Sequence, residues 1–416
     1  MIRDIRGQWR ARPEGSRTFL ALKHRNYRLW FGGQLTSLFG SWMQSTALGF
    51  LVFELTKSPE FLGYVGFAAG IPTWLFMLWA GVVADRIPRR RQMLITQTSE
   101  MLMAFLASIL VFTGAIRPWQ IILLAFGFGT ANAFDAPARH ALVQDLVPLE
   151  DMTNAIALNS AMFNTSAAVG PAVGGLIYAL VGPGWCFFVN GLSFLAIIAA
   201  LTRMKIPASA PRPRTSSMSV DLREGLGYVS RQPVIRAIMA NLLVVSMFGY
   251  AFTTLIPAWA VNILHGNATT SGFLISARAL GSLGAALFIA SLGRFHFRGK
   301  LLALGSFAFP VLMIVFAFLR VHGLAFLFLF GAGFSIILVF NLSNSIVQTL
   351  APDHLRGRIM AIYSLTFFGS MPLGALLIGS LAERLGEPPA VVINSLTALL
   401  FCGLMFLAGP RLHAVE

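Results

Sequence analysis

The chain has 416 residues, of which 56% are hydrophobic and 11% are charged, and its mean hydropathy is +0.73. A soluble domain carries about 25% charged residues, so this chain has too few charges to cover a surface that faces water. The composition therefore excludes a soluble globular protein. Apolar runs of about 18 residues or more recur along the whole chain, and each can cross about 30 Å of hydrocarbon. These runs predict an all-α polytopic membrane protein.

Twelve membrane spans follow one another in this pattern. They are predicted at 29–53, 62–84, 93–113, 119–137, 155–180, 185–201, 237–262, 272–292, 301–319, 324–347, 359–382 and 390–408. These spans divide the chain into a basic segment 1–28, six spans in 29–201, a linker 202–236, six spans in 237–408 and a tail 409–416. The linker begins with PRPRTSSMS, which is expected to be disordered. It continues as DLREGLGYVSR, whose Leu222, Leu226 and Val229 predict a short amphipathic helix on the membrane surface.

The basic residues fix the predicted orientation. With these spans, 26 of the 31 Lys and Arg residues lie in the termini, the linker and the loops on one side of the membrane. Basic loops resist translocation, so this side is predicted to be the cytoplasm of a bacterial cell, with both termini cytoplasmic in its inner membrane. The net charge of +15 is thereby explained, and we expect no nucleic-acid partner.

Several kinds of active centre have no counterpart in the sequence. Cys186 and Cys402 both lie inside apolar runs, which suggests neither a disulfide framework nor a metal site. No G-x-x-x-x-G-K-[ST] phosphate-binding loop occurs. We therefore expect no enzyme activity, no cofactor and no metal. As partners we expect the lipid bilayer and a small-molecule substrate, and we expect the chain to be a monomer.

A short basic loop between spans 2 and 3, GVVADRIPRRR, carries the most specific pattern in the chain. Its ordered positions are Gly81, Asp85, Arg86, Arg89 and Arg90. This spacing resembles the loop signature of the major facilitator superfamily, G-x-x-x-D-R-x-G-R-[KR], with Pro88 where the family usually has glycine. The alternative is a plain topogenic signal.

The resemblance implies a conformational latch. Asp85 would lie beside the cytoplasmic N-terminus of span 11, whose positive dipole end attracts a carboxylate. In the superfamily this contact holds the two halves together on the cytoplasmic side while the cavity opens outward. The resemblance also pairs Arg89 with Asp135, at the cytoplasmic end of span 4.

An internal repeat supports the same architecture. A shift of 204 residues aligns Val143 and Gln144 with Val347 and Gln348, and many later positions also match. Each half has an even number of spans, so the repeats run parallel, related by an axis along the membrane normal. The expected fold is two pseudo-twofold-related bundles of six helices, the major facilitator fold.

Span 5 carries a second motif, SAAVGPAVGG. Its key positions are Ser166, Gly170, Pro171, Gly174 and Gly175. It resembles the antiporter motif of superfamily exporters, g-x-x-x-G-P-x-x-G-G, with Ser166 replacing the first glycine. Proline lets a helix bend, and glycines form a flat face on which another helix packs, although ordinary small-residue packing is an alternative. With the preceding stretch AFDAPARHALVQDLVPLEDM, the motif resembles the branch of enterobactin exporters and macrolide or multidrug efflux pumps.

Polar side chains on three spans suggest a central cavity. Span 1 carries one polar stripe, formed by Gln34, Ser37, Ser41, Gln44 and Ser45. Span 7 carries Ser246, Tyr250, Thr253 and Thr254 in the matching register, and span 10 adds Asn341 and Asn344. Symmetry-related stripes predict two walls of one cavity. The alternative is hydrogen bonding between helices, which is worth only a fraction of a kcal/mol per pair.

Two charged residues lie within predicted spans, where such residues are candidates for function. Glu100 in span 3 is a candidate for coupling to an ion, or else pairs with a nearby arginine. Arg278 in span 8 is expected to face protein or the cavity, and Glu54 is the acid nearest to it in depth. An unpaired Arg278 in the cavity would attract an anionic group and favour a carboxylate or catecholate cargo.

These observations together predict a secondary exporter of a small amphipathic molecule, a siderophore or a drug, that works by alternating access. Protons are the expected coupling ion, since no nucleotide site exists. A carrier of lysolipids or other metabolites is the nearest alternative. A non-transporting sensor or scaffold with the same fold is the alternative from another class.

Overall fold

Each predicted span is a helix in the structure, a computed structural model that describes residues 17–204, 218–293 and 295–408. We number the membrane helices as the spans. The first half has α1 Arg25–Thr56, α2 Pro59–Arg86, α3 Arg89–Phe112, α4 Pro118–Leu146, α5 Met152–Val181 and α6 Pro183–Arg203. The second half has α7 Pro233–Ile263, α8 Ala268–Ser291, α9 Arg298–Phe318, α10 His322–Leu350, α11 Arg356–Leu385 and α12 Glu387–Ala408. No strand occurs among the described residues.

The outer surface of the bundle is apolar. Ten of the helices in the described part of the chain are long and apolar enough to cross a membrane, and α1 and α2 reach 32 and 28 residues. Large apolar side chains such as Leu404 and Leu407 stand exposed on the peripheral helices, the latter at 88%. Surfaces of this kind are stable in contact with lipid, which agrees with a multi-pass membrane protein.

The helices form two bundles, each with its own core. One apolar cluster contains only residues from Val229 onward, and another contains only residues up to Met204. The repeat seen in the sequence is also visible in the backbone, because Gly182 after α5 and Gly386 after α11 both have positive φ, 95° and 88°. Glycine adopts this conformation without steric cost. Equivalent helices of the two halves therefore end in the same way.

Contacts between the halves concentrate at one end of the molecule. We call the end that holds Arg25 and Arg86 the inner end and the opposite one the outer end; the predicted orientation makes the inner end cytoplasmic. Toward the outer end, α2 packs on α11 and α5 packs on α8. There, Gly63 meets Gly379 and Gly272 meets the Pro171 carbonyl. The described glycines that approach the other half closely all lie between the outer end and about mid-depth.

Helix α7 is irregular in its middle. It is α-helical to Val244, widens to a π-helix over Val245–Gly249, tightens to a 3-10 helix over Tyr250–Leu255 and is again π-helical over Trp259–Ile263. Pro257 lacks a backbone N–H and so cannot continue a regular ladder of hydrogen bonds. Interruptions of this type are frequent at functional sites.

A short helix, Met218–Arg231, forms in the second half of the linker, as predicted. It packs on the inner end of α11, where Glu224 forms an ion pair with Arg358. Val229 is buried and Leu226 is exposed. The predicted disordered run falls at 211–219, and all of it except its last two residues lies outside the described residues.

Candidate functional site

A central pocket of about 250 Å³ lies between the two halves. Its lining comes from α1 and α2 of the first half and from α7 and α8 of the second. The polar members are Ser45, Thr46, Tyr250, Thr253, Thr254 and Arg278, and the apolar members include Trp42, Leu62, Val65, Pro257 and Ile275. A second, more apolar groove of about 480 Å³ lies among α2, α3 and α4 of one half, so the two halves do not both contribute to it.

Arg278 is the only described Lys or Arg residue in the lining of the central pocket. Because α8 begins at Ala268, four residues before the predicted start, Arg278 lies about 15 Å along the helix, deeper than predicted. The residue is 7% exposed, and its guanidinium carbon lies 5.0 Å from the centroid of the Tyr250 ring. An arginine at this depth costs about 2.5–3.5 kcal/mol on insertion scales, so a favourable contact is needed to offset it.

No acidic side chain that the structure describes provides that contact. Glu54, the acid predicted to be nearest in depth, accepts a hydrogen bond from the Tyr178 hydroxyl instead. Among the described residues no ion pair or hydrogen bond involves the Arg278 guanidinium, and its Nε is buried without a partner. Of the two predicted environments, protein or the cavity, Arg278 lies at the wall of the central pocket.

The polar stripe of α1 faces the interior of its own bundle, which corrects the predicted cavity wall. Ser37 donates to Gln97 on α3 at 3.3 Å, and Gln44 accepts from Asn190 on α6 at 2.8 Å. Gln34 is buried as well, and Ser41 donates to a carbonyl of its own helix. None of these four side chains lines the central pocket. Bonds between helices of one bundle, the alternative reading, account for Ser37 and Gln44.

The pocket face of α1 instead carries Ser45 and Thr46, with Trp42 beside them. This face lies roughly a quarter turn around the helix from the stripe. Trp42 and Thr46 were not predicted, because neither belongs to the longest polar stripe of the helix. The hydroxyl pair Ser45–Thr46, one turn after Trp42, is the signal that would have indicated the correct face.

The second half agrees with the cavity prediction in part. Tyr250 and Thr253 line the central pocket, at the point where α7 changes from π to 3-10 geometry. Ser246 is fully buried and does not line it. Asn341 and Asn344 lie closer to the inner end of α10, also outside the lining, and Asn344 accepts a hydrogen bond from Gln348 at 2.6 Å.

The glycines of α5 allow very close packing on two sides. A Cβ at Gly170 would lie 2.7 Å from the Trp42 Cβ on α1, and one at Gly174 2.8 Å from the Met43 carbonyl. A Cβ at Gly175 would lie 2.4 Å from the Ala268 carbonyl of α8 in the other half. Pro171 lies within the helix between them, and Ser166 is buried beneath with an unpartnered hydroxyl. Helix α5 therefore touches its own half and the opposite half through one motif.

The basic motif begins helix α3 and is shorter as a loop than predicted. Helix α2 ends at Arg86, and Arg89 is the first residue of α3, so Ile87 and Pro88 alone connect the two. Arg90 donates to the Thr202 carbonyl at the end of α6. The side chains of Asp85 and Arg86, and that of Ala84 beside them, lie outside what the structure describes, as does the environment of Gly81. The predicted contact of Asp85 with α11 is therefore not tested.

Arg89 pairs with Asp145 and not with Asp135, which corrects the pairing implied by resemblance. Its Nη1 donates to Asp145 Oδ2 at 2.7 Å and to the Ala141 carbonyl at 2.9 Å. Because α3 and α4 run in opposite directions, the start of α3 lies beside the end of α4. Asp135 is ten residues earlier, about 15 Å deeper along α4.

Asp135 belongs instead to a buried polar cluster between α3 and α4. It is 2% exposed, and its Oδ1 accepts hydrogen bonds from Thr96 at 2.8 Å and from Gln97 at 3.0 Å. Arg139, one turn later on α4, approaches the carboxylate to 3.9 Å. Glu100 lies within electrostatic range of both Asp135 and Arg139. It has no hydrogen bond or ion pair among the described residues, so the predicted alternative of a simple arginine pair is not realised as a direct contact.

Comparison with known proteins decides the family. The sequence matches the profile described as transmembrane secretion effector over residues 16–416, nearly its whole length. The chain belongs to this family. Similar proteins include the staphyloferrin A transporter of Staphylococcus aureus, 24% identical over 86% of this chain and 90% of the relative. The multidrug efflux pump Tap of Mycolicibacterium fortuitum is 26% identical over 92% of this chain and 95% of the relative.

The fold is likewise that of a major facilitator transporter. A bacterial homologue of the lysosomal transporter Spinster, solved in an inward-facing and unoccupied conformation, superimposes with a TM-score of 0.70 over 95% of this chain and 98% of that one, at 15% identity. The nucleoside transporter NupG gives a TM-score of 0.73 over 95% and 99%, at 14% identity. At these identities the likeness establishes the fold alone.

The Arg89–Asp145 pair gives the transporter a testable contact at its inner end. Arg89→Asp and Asp145→Arg should each lower thermal stability in detergent, and the double exchange should restore much of the loss. Both side chains are about a quarter exposed, so we expect a coupling energy of about 1 kcal/mol in a double-mutant cycle. The control combines Arg89→Asp with Asp135→Arg. Coupling to Asp135 with none to Asp145 would contradict the pairing.

Proposed function

We propose that this secretion effector is a secondary exporter of a small amphipathic molecule, a siderophore or a drug, in the bacterial inner membrane. The observation that carries the proposal is the central pocket, which lies at mid-depth between two halves whose close glycine contacts, among the described residues, lie from the outer end to about mid-depth. A site in this position can open to either side when the halves tilt. The relatives named for a siderophore and for multidrug efflux support this class of cargo.

The proposed orientation places both termini in the cytoplasm and the packed end outside. The described contacts then correspond to a state that is closed outward. In the opposite state, Asp85 would meet the positive N-terminal end of α11 and latch the inner ends together. The glycines of α5 would act as the packing surface on which α8 rocks. We propose that the transporter works as a monomer, because each chain contains both halves of the pocket.

Protons are the proposed coupling ion, and the buried cluster of α3 and α4 is the proposed carrier. Glu100 and Asp135 bring two carboxylates near one guanidinium, that of Arg139. If both carboxylates are ionised, one negative charge has no counter-charge in a region poor in water, and a bound proton compensates it. Binding and release of that proton on opposite sides of the membrane would drive export.

Substrate-dependent proton flux in proteoliposomes tests the proposal. Purified transporter is reconstituted with an internal pH dye, and siderophores and cationic drugs are added in turn. Transport of at least one compound should drive protons in the opposite direction. Glu100→Gln should reduce this proton flux by about tenfold or more because it removes one titrating carboxylate. Ser99→Ala, at the neighbouring exposed position, is the control. Transport of a compound without proton flux would refute the coupling. If neither compounds nor protons move, export of these classes of compound is refuted.

A further inference from the structure

We infer that Arg278 and Tyr250 form a recognition site for a carboxylate on the transported molecule. The inference rests on the proposed function, because it names the class of cargo that the central pocket takes. It selects anionic amphipathic compounds over cationic ones, a choice that the family and its named relatives leave open.

The first argument is that Arg278 lacks a counter-ion. Its side chain is 7% exposed, in the middle of a membrane helix, and its Nε is buried with no hydrogen-bond partner. No ion pair to it occurs in the part of the chain that the structure describes. Buried charges in proteins are normally paired, so an unpaired guanidinium at a pocket wall indicates a binding site for an anion.

The second argument is that the surroundings hold the guanidinium in place without neutralising it. The Tyr250 ring lies 5.0 Å from its central carbon, a distance at which the ring face attracts a cation. The backbone beneath is fixed, since the Arg278 carbonyl accepts from Ser282 at 3.2 Å and packs against Gly333 of α10. Such support positions a charge for a ligand and leaves its hydrogen-bonding groups available.

The third argument concerns the rest of the pocket. A guanidinium fork matches the two oxygens of a carboxylate. The Thr254 hydroxyl lines the same pocket and can donate to an anion, whereas the Thr253 hydroxyl already donates to the Tyr250 carbonyl at 3.0 Å. Trp42 and Ile275 give the pocket an apolar wall. At about 250 Å³ the pocket fits a carboxylate with one ring system, or the anionic end of a larger molecule. The lining therefore fits an amphipathic carboxylate.

A matched pair of ligands tests the inference by equilibrium binding. 1-Naphthaleneacetate and 1-naphthaleneacetamide share one ring system and differ in charge. Binding to the full-length transporter in nanodiscs is measured by tryptophan fluorescence at constant pH. Wild type should prefer the carboxylate by about tenfold to a hundredfold, the usual worth of a hydrogen bond to a charged group. Arg278→Gln should abolish the preference and leave amide binding unchanged.

Two further variants separate recognition from structure. Arg278→Lys keeps the charge without the fork and should retain part of the preference. Arg117→Gln, which removes an exposed arginine at the outer end, should retain all of it. A preference that survives Arg278→Gln, or its absence from the wild type, would overturn the inference. So would equal loss of both ligands together with lower thermal stability, because Arg278 would then be structural.

Varying the lipid of the nanodiscs determines whether the anion that binds Arg278 is a cargo molecule or a lipid headgroup. The same titration is run in nanodiscs of phosphatidylcholine alone and of phosphatidylcholine mixed with phosphatidylglycerol. Unchanged binding of 1-naphthaleneacetate supports a site for cargo. Competition by the anionic lipid would overturn that assignment and make a lipid headgroup the occupant. Because this is a binding measurement, its outcome is independent of whether proton-coupled transport is observed.

Discussion

Valine in place of Gly272 should abolish transport while leaving the protein folded. A Cβ at Gly272 would lie 2.3 Å from the Pro171 carbonyl of α5, in the opposite half. A backbone atom cannot move aside as a side-chain end can, so the cost exceeds the roughly 1–3 kcal/mol of ordinary overpacking. The packed outer end would become less populated by at least about tenfold. The halves can still separate there, so the open state would tolerate the valine.

Gly281→Val is the matched control for this prediction. A Cβ at Gly281 would lie 1.8 Å from the Phe330 carbonyl of α10, but this contact lies within the second half. Packing within a half is needed in every state of a rocking mechanism, so Gly281→Val should reduce the yield of folded protein.

A cysteine at Thr253, in the central pocket, reports the outer opening through its reaction with an impermeant reagent. Labelling from outside should rise with Gly272→Val, and normal transport by this variant would contradict the proposed interface.

Asp135→Asn should destabilise the transporter strongly, and adding Arg139→Gln should recover much of the loss. When Glu100 holds the bound proton, removing the Asp135 charge leaves Arg139 uncompensated, at a cost of about 3 kcal/mol, the low end of the usual range, because Arg139 keeps 18% exposure. Removing both charges avoids that cost. Thermal unfolding in detergent measures the effect, and Thr96→Val, which deletes one hydrogen bond to the same carboxylate, should cost less.

The double variant also separates stability from coupling. Suppose that Asp135 and Glu100 carry the proton together. The double variant Asp135→Asn/Arg139→Gln should then be stable and still deficient in proton flux. A double variant less stable than Asp135→Asn alone would show that Arg139 has another essential partner. Full proton flux in the stable double variant would leave Glu100 as the remaining candidate carrier.

The architecture could be predicted from the sequence because it depends on one-dimensional signals. Span length follows from the thickness of hydrocarbon, and the repeat follows from matching residues at a constant shift. The paired connections at Gly182 and Gly386 show the same symmetry in the backbone. Helix ends were less predictable: Ala268 begins α8 through the Asn267 cap, whose side chain accepts from two backbone N–H groups, and this changes the depth of Arg278.

The partners of polar side chains could not be predicted, because they depend on helix rotation and on contacts distant in sequence. The stripe of α1 identifies a polar face, but a polar face can meet water or another polar helix. The hydrogen bond that Asn190 on α6 donates to Gln44, 146 residues away in sequence, shows that the stripe meets another polar helix. Similarly, the family pattern suggests a carboxylate on α4 for Arg89 and does not say at which depth. The antiparallel packing of α3 and α4 selects Asp145.

Distances between spin labels at the two ends test alternating access most directly. Cysteines at Thr113 and Val321 report the separation of the halves at the outer end, and cysteines at Leu149 and His354 report the inner end; all four positions are exposed. Double electron–electron resonance is recorded with and without cargo, at two pH values. We expect the outer distance to lengthen as the inner distance shortens. Distances that stay constant, or that change in the same direction at both ends, would contradict alternating access.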